Sequence, residues 1–312
     1  MAKNPSTFNN KTSRRDFLKK IARFCGSHWL LTSVPIGGAG ILAWAEHDTI
    51  DLKIEKWDLY YPTLPEALSG KTIAQISDLH LESLQIPAER IRKAITAQKP
   101  DLLVITGDVI STRADLDKVL IYLNSLKARY GRYIVMGNND YSHFSSTLFK
   151  RYIELLRGMG WIPLINEADY LPNLNTLIIG IDDPATAHDN VPKAYQGINR
   201  ETLDSSTFRL VLAHSTDCLD DVAKYGANLL LTGHTHGGQI RLPGMKPWIT
   251  NTYLGDQGIY EGYHEIKGVR LYINRGLGES IFPLRLHVPP EITLFTLHKG
   301  DQATRHVESL RF

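Results

Sequence analysis

Short apolar runs, each followed closely by Asp, Asn or His, recur along the middle of this chain. The runs are rich in Leu, Ile and Val and lack helical periodicity, which predicts buried β-strands. They span residues 72–76, 102–105, 133–136, 210–213 and 229–232. The polar segments after them are Asp78-Leu79-His80, Gly107-Asp108, Gly137-Asn138-Asn139-Asp140, His214 and Gly233-His234-Thr235-His236. Because strand ends on one side of a sheet converge, we expect these side chains to meet in one site.

The remaining pattern predicts helices and strands in alternation, with strands clustered late in the chain. Further strands are predicted over 52–60, 176–181, 268–274 and 291–297. Amphipathic helices are predicted over 87–98, 115–127, 145–158 and 219–225. This order indicates two packed sheets with helices outside. One domain is therefore predicted over 50–300, preceded by a separate segment over 1–45 and followed by a polar, frayed tail over 301–312.

The first 45 residues resemble a twin-arginine export signal. Ser13–Lys19 carries the arginine pair, the weakly apolar stretch Trp29–Ile41 follows, and Ala43–Ala45 offers small residues for cleavage. The apolar stretch is short and glycine-rich compared with the roughly 20 residues of a permanent membrane span. Export to the periplasm or cell envelope is predicted. One alternative is that the segment remains uncleaved and anchors the protein to the membrane, facing outside the cytoplasm, which implies membrane contact. Another alternative is an amphipathic surface helix, because helical spacing relates Phe17, Leu18, Ile21 and Phe24.

Charge is unevenly distributed along the chain. The 312 residues carry a net charge of +2, but residues 1–45 alone carry +6, so the remainder carries the difference, −4. A mildly acidic body argues against nucleic acid as a partner. The two cysteines are too few for a disulfide framework.

The polar segments combine oxygen and nitrogen donors that suit a metal site. Asp78 and His80 are two residues apart, so in an extended segment both reach the same side. Gly107 allows the backbone to turn and present Asp108. The absence of thiolate favours Mn²⁺, Fe or Zn²⁺ over a structural cysteine-type zinc site. The candidate metal ligands are Asp78, His80, Asp108, Asn138, His214, His234 and His236.

These segments, in this order, resemble the calcineurin-like metallophosphoesterase superfamily over about residues 70–297. Residues 76–80, 237–240 and 274–278 further resemble its bacterial branch of small exported phosphodiesterases. The resemblance implies a four-layer α/β/β/α sandwich, in which two mixed β-sheets are flanked by helices. It also implies a site for two divalent metal ions at the strand ends.

The resemblance also implies a role for each ligand. The first metal is then held by Asp78, His80 and His236, the second by Asn138, His214 and His234, and Asp108 bridges both. A hydroxide held between two such ions attacks phosphorus in line, so no protein nucleophile is required. The implied substrate is a phosphodiester, with a phospholipid-like ester as one form of it.

One position departs from the family pattern. The family usually has His where this chain has Asn139, and an amide cannot deliver a proton to a leaving group near neutral pH. A substrate with a good leaving group needs no such proton, which makes a lipid-linked nucleotide pyrophosphatase of the UDP-2,3-diacylglucosamine type an alternative. Another alternative is that Asn139 is a tolerated substitution in a slower phosphodiesterase.

Two further residues receive predicted catalytic roles. Asp140 is expected to orient an adjacent imidazole. Arg275 is expected to grip a phosphate bidentately, with a structural ion pair as the alternative. Histidines outside the motifs, including His188, are interpreted as surface or structural. A third function, a non-catalytic metal-binding scaffold, predicts lost ligands, whereas all seven are present.

Overall fold

The computed structural model describes residues 43–111, 116–196, 203–242, 245–247, 250–280 and 282–312. Ala45–Phe312 forms one compact unit. The arginine pair and apolar stretch of the predicted export signal lie outside the described residues. In the part of the chain that is described, no helix has the length and apolar character needed to cross a membrane.

The unit contains the following strands and helices. The strands are β1 (Lys53–Tyr61), β2 (Thr72–Ile76), β3 (Leu102–Thr106), β4 (Gly131–Val135), β5 (Ile162–Pro163), β6 (Glu167–Leu171), β7 (Thr176–Gly180), β8 (Phe208–Leu212), β9 (Leu229–Thr232), β10 (Gly262–Ile266), β11 (Val269–Ile273), β12 (Glu291–Lys299) and β13 (Arg305–Arg311). The helices are α1 (Ala88–Gln98), α2 (Leu116–Ser125), α3 (Asn138–His143), α4 (Ser146–Gly158), α5 (Val191–Gln196), α6 (Leu219–Tyr225) and α7 (Tyr253–Asp256).

The strands form two mixed sheets. The first has the order β13-β1-β12-β2-β3-β4-β5, and β2 through β5 run parallel. The second has the order β10-β11-β9-β8-β7-β6, and its four central strands run parallel. In each sheet the parallel strands end at one edge, where the polar segments begin.

Burial on both faces explains the continuous apolar runs. Leu102 and Val104 of β3 pack between the two sheets, where Leu210 of β8 joins the same cluster. Leu103 on the other face of β3 packs with Ile91 of α1. A strand covered on both faces needs apolar residues at every position. The second sheet is covered on its outer face by α5 and α6, which completes the predicted α/β/β/α sandwich.

The prediction of a frayed tail was wrong. Residues 305–311 form β13, which pairs antiparallel with β1 at the edge of the first sheet. The strand is polar because most of it is exposed at that edge. Its His306 and Ser309 side chains bond to the Glu55 carboxylate. Polarity alone therefore did not distinguish a solvated edge strand from a frayed end.

Candidate metal centre

The seven predicted ligands lie at the carboxyl ends of β2, β3, β4, β8 and β9. Sharp backbone turns present them there. Five of them have positive φ, a conformation that non-glycine residues adopt rarely and that is enriched at functional sites. These are Asp78 (48°), His80 (42°), Asp108 (52°), His234 (69°) and His236 (50°).

Three side chains form a first buried cluster. The Nε2 atom of His236 lies 3.2 Å from Asp78 Oδ1 and 3.2 Å from His80 Nε2. The Nδ1–H of His236 donates to the Gly278 carbonyl oxygen at 3.2 Å, which directs the Nε2 lone pair into the cluster. Asp78 uses Oδ2 to accept from Ser77 and from the His234 backbone. Among the described residues, its buried Oδ1 atom has no hydrogen-bond partner.

A second cluster lies beside the first. His214 Nε2 lies 3.2 Å from Asn138 Oδ1 and 3.1 Å from His234 Nδ1. The Nδ1–H of His214 donates to the Thr106 carbonyl oxygen at 2.8 Å, so its Nε2 lone pair also faces the cluster. Asn138 and His234 are half-buried, whereas His214 is fully buried.

The Asp108 carboxylate joins the two clusters. Its Oδ2 atom lies 3.7 Å from His80 Nε2 in the first cluster and 3.4 Å from His214 Nε2 in the second. Gly107 permits this arrangement, because its φ is +90° and a Cβ there would lie 2.5 Å from His214 Nδ1. One carboxylate oxygen thus faces both clusters, as a bridging ligand does.

The protonation of three of these groups favours cation binding. His214 is the exception, because burial lowers its pKa but the Asp108 carboxylate outweighs burial and raises it. Burial raises the pKa of Asp78 and Asp108, but the surrounding imidazoles outweigh it and hold both below the usual range. Burial lowers the pKa of His80 to about 4 despite the nearby Asp108 carboxylate. Near neutral pH both carboxylates are therefore ionised and His80 is neutral, which are the forms that bind metal.

The donor set fits two divalent metal ions. In each cluster three nitrogen or oxygen atoms face one another, and the central atom lies 3.1–3.2 Å from the other two. Close lone pairs and an unpaired buried carboxylate oxygen are costly unless a cation lies among them. Asp78, His80 and His236 would hold one ion, and Asn138, His214 and His234 the other, with Asp108 between them.

Asn139 contacts the carboxylate that joins the clusters. Its backbone N–H donates to Asp108 Oδ1 at 2.8 Å, and its side-chain Nδ2 donates to Asp108 Oδ2 at 2.6 Å. The residue at the departure from the family pattern therefore holds Asp108 in place.

Asp140 does not orient an imidazole as predicted. Its buried carboxylate accepts backbone N–H groups from Asp108 (3.0 Å), Val109 (3.1 Å), Ile110 (3.4 Å) and Gly137 (2.9 Å). It thereby ties the loop after β3 to the loop after β4. Asp140 is therefore a positioning residue, which holds Asp108 through backbone N–H groups.

Arg275 forms the ion pair that was the alternative to phosphate binding. Its Nη2 atom lies 2.6 Å from Glu55 Oε1 and 2.6 Å from Glu291 Oε2. Both carboxylates are buried. With two carboxylates on one guanidinium, the structure gives no support to a phosphate grip by this residue.

Arg285 and Glu279 were missed by the sequence analysis. Both are buried, and Arg285 Nη2 donates to the Gly278 carbonyl that also receives His236 Nδ1–H. Arg285 Nε lies 3.7 Å from Glu279 Oε1. Arg285 therefore steadies the support of a predicted metal ligand. The two residues lie in a loop without periodicity, so no local pattern marked them.

Comparison with known proteins agrees with this geometry. The family model described as calcineurin-like phosphoesterase matches residues 71–238. The metallophosphoesterase YkuE of Bacillus subtilis is 31% identical over 92% of this chain and 98% of its own length. YkoQ of the same organism, also a metallophosphoesterase, is 30% identical over 80% of this chain and 92% of its own.

A third relative carries a more specific name. The UDP-2,3-diacylglucosamine pyrophosphatase LpxG of Chlamydia muridarum is 27% identical over 87% of this chain and 97% of its own length. The family match covers the segments that carry all seven predicted ligands. The chain belongs to the calcineurin-like phosphoesterase family and is a metal-dependent phosphoester hydrolase.

Proposed function

We propose that the protein hydrolyses phosphodiester bonds at a centre of two divalent ions, and that phospholipid-like esters are among its substrates. The observation that carries this proposal is the place of Asp108 Oδ2 between two three-atom clusters. Two bound ions would activate water as the nucleophile and offset charge on the phosphoryl oxygens. The mixed oxygen and nitrogen donors favour Mn²⁺, Fe or Zn²⁺.

The protein's own residues then have distinct tasks. The carbonyl groups of Gly278 and Thr106 orient His236 and His214. Asn139 and Asp140 fix Asp108, the first through its carboxylate and the second through its backbone. Substrate would approach from the side of Asn138, Asn139 and His234, which are half-buried, because the first cluster is fully enclosed.

A second candidate function is hydrolysis of a pyrophosphate bond in a lipid-linked nucleotide. Asn139 supports it, because its amide is committed to Asp108 and cannot protonate a leaving group. A nucleotide leaving group needs no proton. The name of the LpxG relative describes that reaction.

Replacing Asn139 with histidine distinguishes the two candidates. A general acid typically contributes 10²-fold or more, so Asn139→His is expected to raise turnover of alkyl phosphodiesters by about tenfold or more. Turnover of a nucleotide pyrophosphate is expected to change less. The measurement is steady-state hydrolysis of both substrates by purified protein, with added Mn²⁺ and with chelator.

Asn139→Ala is the matched control, because it removes the bond to Asp108 without adding an acid. It is expected to lower turnover of both substrates equally. An equal effect of Asn139→His on both substrates would contradict this account of the residue. If the unaltered protein hydrolyses no substrate with any metal, the proposed function fails.

We also propose export by the twin-arginine route, on the resemblance of residues 13–45 to such a signal. Replacing Arg14 and Arg15 with lysine is expected to leave the protein in the cytoplasm. Cell fractionation measures this, and unchanged export of the lysine variant would overturn the proposal.

A further inference from the structure

Three stacked rings form a column beside the second metal cluster. Tyr141 stands in the middle, with its ring 4.0 Å from that of His188 at an interplanar angle of 4°. The Phe149 ring also stacks on the Tyr141 ring, with 4.7 Å between the ring centroids and an interplanar angle of 23°. Phe149 and Tyr141 are half-buried, whereas His188 is exposed. We call these three residues the ring column.

The fold places the ring column next to the predicted metal ligands. Tyr141 follows Asn138 by three residues on α3, so the two side chains share one face of that helix. The loop that carries His188 leaves β7, which pairs with β8 so that Gly180 lies opposite Leu212. Asp182 and His214 follow those residues by two positions each, just beyond the ends of two strands that lie about 4.8 Å apart.

His188 is held rigidly although it is exposed. Its backbone N–H donates to the Asp183 carbonyl at 3.0 Å, and its own carbonyl accepts from Asn166 Nδ2 at 2.8 Å. Thr186 Oγ1 donates to Asp183 Oδ2, so the contact of 2.7 Å between that oxygen and His188 is donated by the imidazole Nδ1–H. The Tyr141 hydroxyl is anchored in turn by Asp182, at 2.7 and 2.8 Å.

An exposed ring fixed in this way is prepared to accept another ring. Stacking on a preorganised aromatic surface is favourable and tolerates many planar partners, because every base has a π-face. We propose that the exposed face of His188 binds a planar ring attached to the phosphate of the substrate, such as a nucleobase. The proposal rests on the proposed function, since it names the class of substrate that the metal centre would hydrolyse.

The test compares two diesters that share one leaving group. Thymidine 5′-(4-nitrophenyl) phosphate carries a nucleobase, whereas methyl 4-nitrophenyl phosphate does not. For His188→Ala, kcat/KM is expected to fall about tenfold for the thymidine diester and to stay unchanged for the methyl diester. His188→Phe keeps a flat ring and is expected to retain the activity of the unaltered protein on both.

Equal effects of His188→Ala on the two diesters would overturn the proposal. A loss of both activities in His188→Phe would also overturn it, because the imidazole would then act chemically and not by stacking. Thermal melting of both variants checks that the loop remains folded. A loss of melting temperature in His188→Ala that His188→Phe restores, with no difference between the diesters, would assign the ring column to packing alone and overturn the proposal.

A binding measurement separates this proposal from the proposed function. Stacking quenches the fluorescence of 2-aminopurine riboside 5′-monophosphate, and titration with the unaltered protein is expected to show quenching that His188→Ala abolishes. Quenching without hydrolysis of any diester would refute the proposed function and support the ring column. Hydrolysis of both diesters without quenching would support the proposed function and refute ring binding at the ring column.

Discussion

Replacing Asp108 with asparagine is expected to lower turnover of every phosphoester substrate by more than about 100-fold. Loss of a residue that merely orients a metal ligand costs about 10- to 100-fold, and Asp108 Oδ2 faces both ligand clusters directly, at 3.7 Å and 3.4 Å. Asparagine has the same shape but lacks the negative charge that offsets two cations. Steady-state kinetics and the metal content of the purified variant measure the effect.

The matched control is Asp256→Asn, an equivalent change at an exposed position. It is expected to leave turnover and metal content unchanged. The Asp108→Asn protein should remain folded by circular dichroism. Retention of two ions and of full turnover in that variant would contradict the bridging role of Asp108.

Replacing Gly233 with alanine is expected to damage both the fold and the site. A Cβ atom there would lie 2.0 Å from Ser77 Oγ and 2.3 Å from Asp78 Oδ2, far inside contact distance. The loop after β9 must then move away from the loop after β2, which separates His234 from its partners. Overpacking of this kind lowers the free energy of unfolding by about 1–3 kcal/mol, and metal binding is expected to weaken with it.

Gly158→Ala offers the opposite case. Gly158 is the last residue of α4. Apart from its chain neighbours and the adjacent backbone of its own helix, no described atom lies within 4 Å of a Cβ placed there. Alanine there is expected to raise stability by up to about 1 kcal/mol, because it restricts the unfolded chain. Chemical denaturation compares the two variants. Equal stability of Gly233→Ala and Gly158→Ala would show that the loops of β2 and β9 do not approach as closely as described.

The strands and the positions of the seven predicted ligands followed from sequence because their signals are local. Runs such as 102–105 need apolar residues at every position when both faces are buried, and that requirement is visible in the sequence itself. The turns that follow place one or two polar residues at the sheet edge. The parallel order of the strands then brings segments as distant as Asp78 and His236 together.

The supporting interactions did not follow from sequence because their partners are distant or are backbone atoms. Asp140 binds amide groups of the preceding motif, which no side-chain pattern reveals. Arg275 pairs with Glu55, 220 residues away. Arg275 was expected to grip a phosphate, yet the buried carboxylates that engage it lie on β1 and β12.

The first cluster is enclosed, whereas the second is partly open to solvent, so two bound ions are expected to have different roles. Asp78, His80 and His236 are at most 5% exposed, so a first ion would be held away from solvent. Asn138, Asn139 and His234 are half-buried, which leaves room for substrate on the side where Tyr141 continues the same helix. The ring column and the departure at Asn139 thus lie on one side of the site. Substrate selection is expected to depend on that side.

The number of metal ions needed for turnover is the decisive measurement for a centre of two ions. Chelator-treated protein is titrated with Mn²⁺ while hydrolysis of a 4-nitrophenyl diester is followed, and bound metal is measured by elemental analysis. A centre of two ions predicts no turnover without metal and a rate that rises until two equivalents are bound per chain. Full turnover with no bound metal, or a plateau at one equivalent, would contradict it.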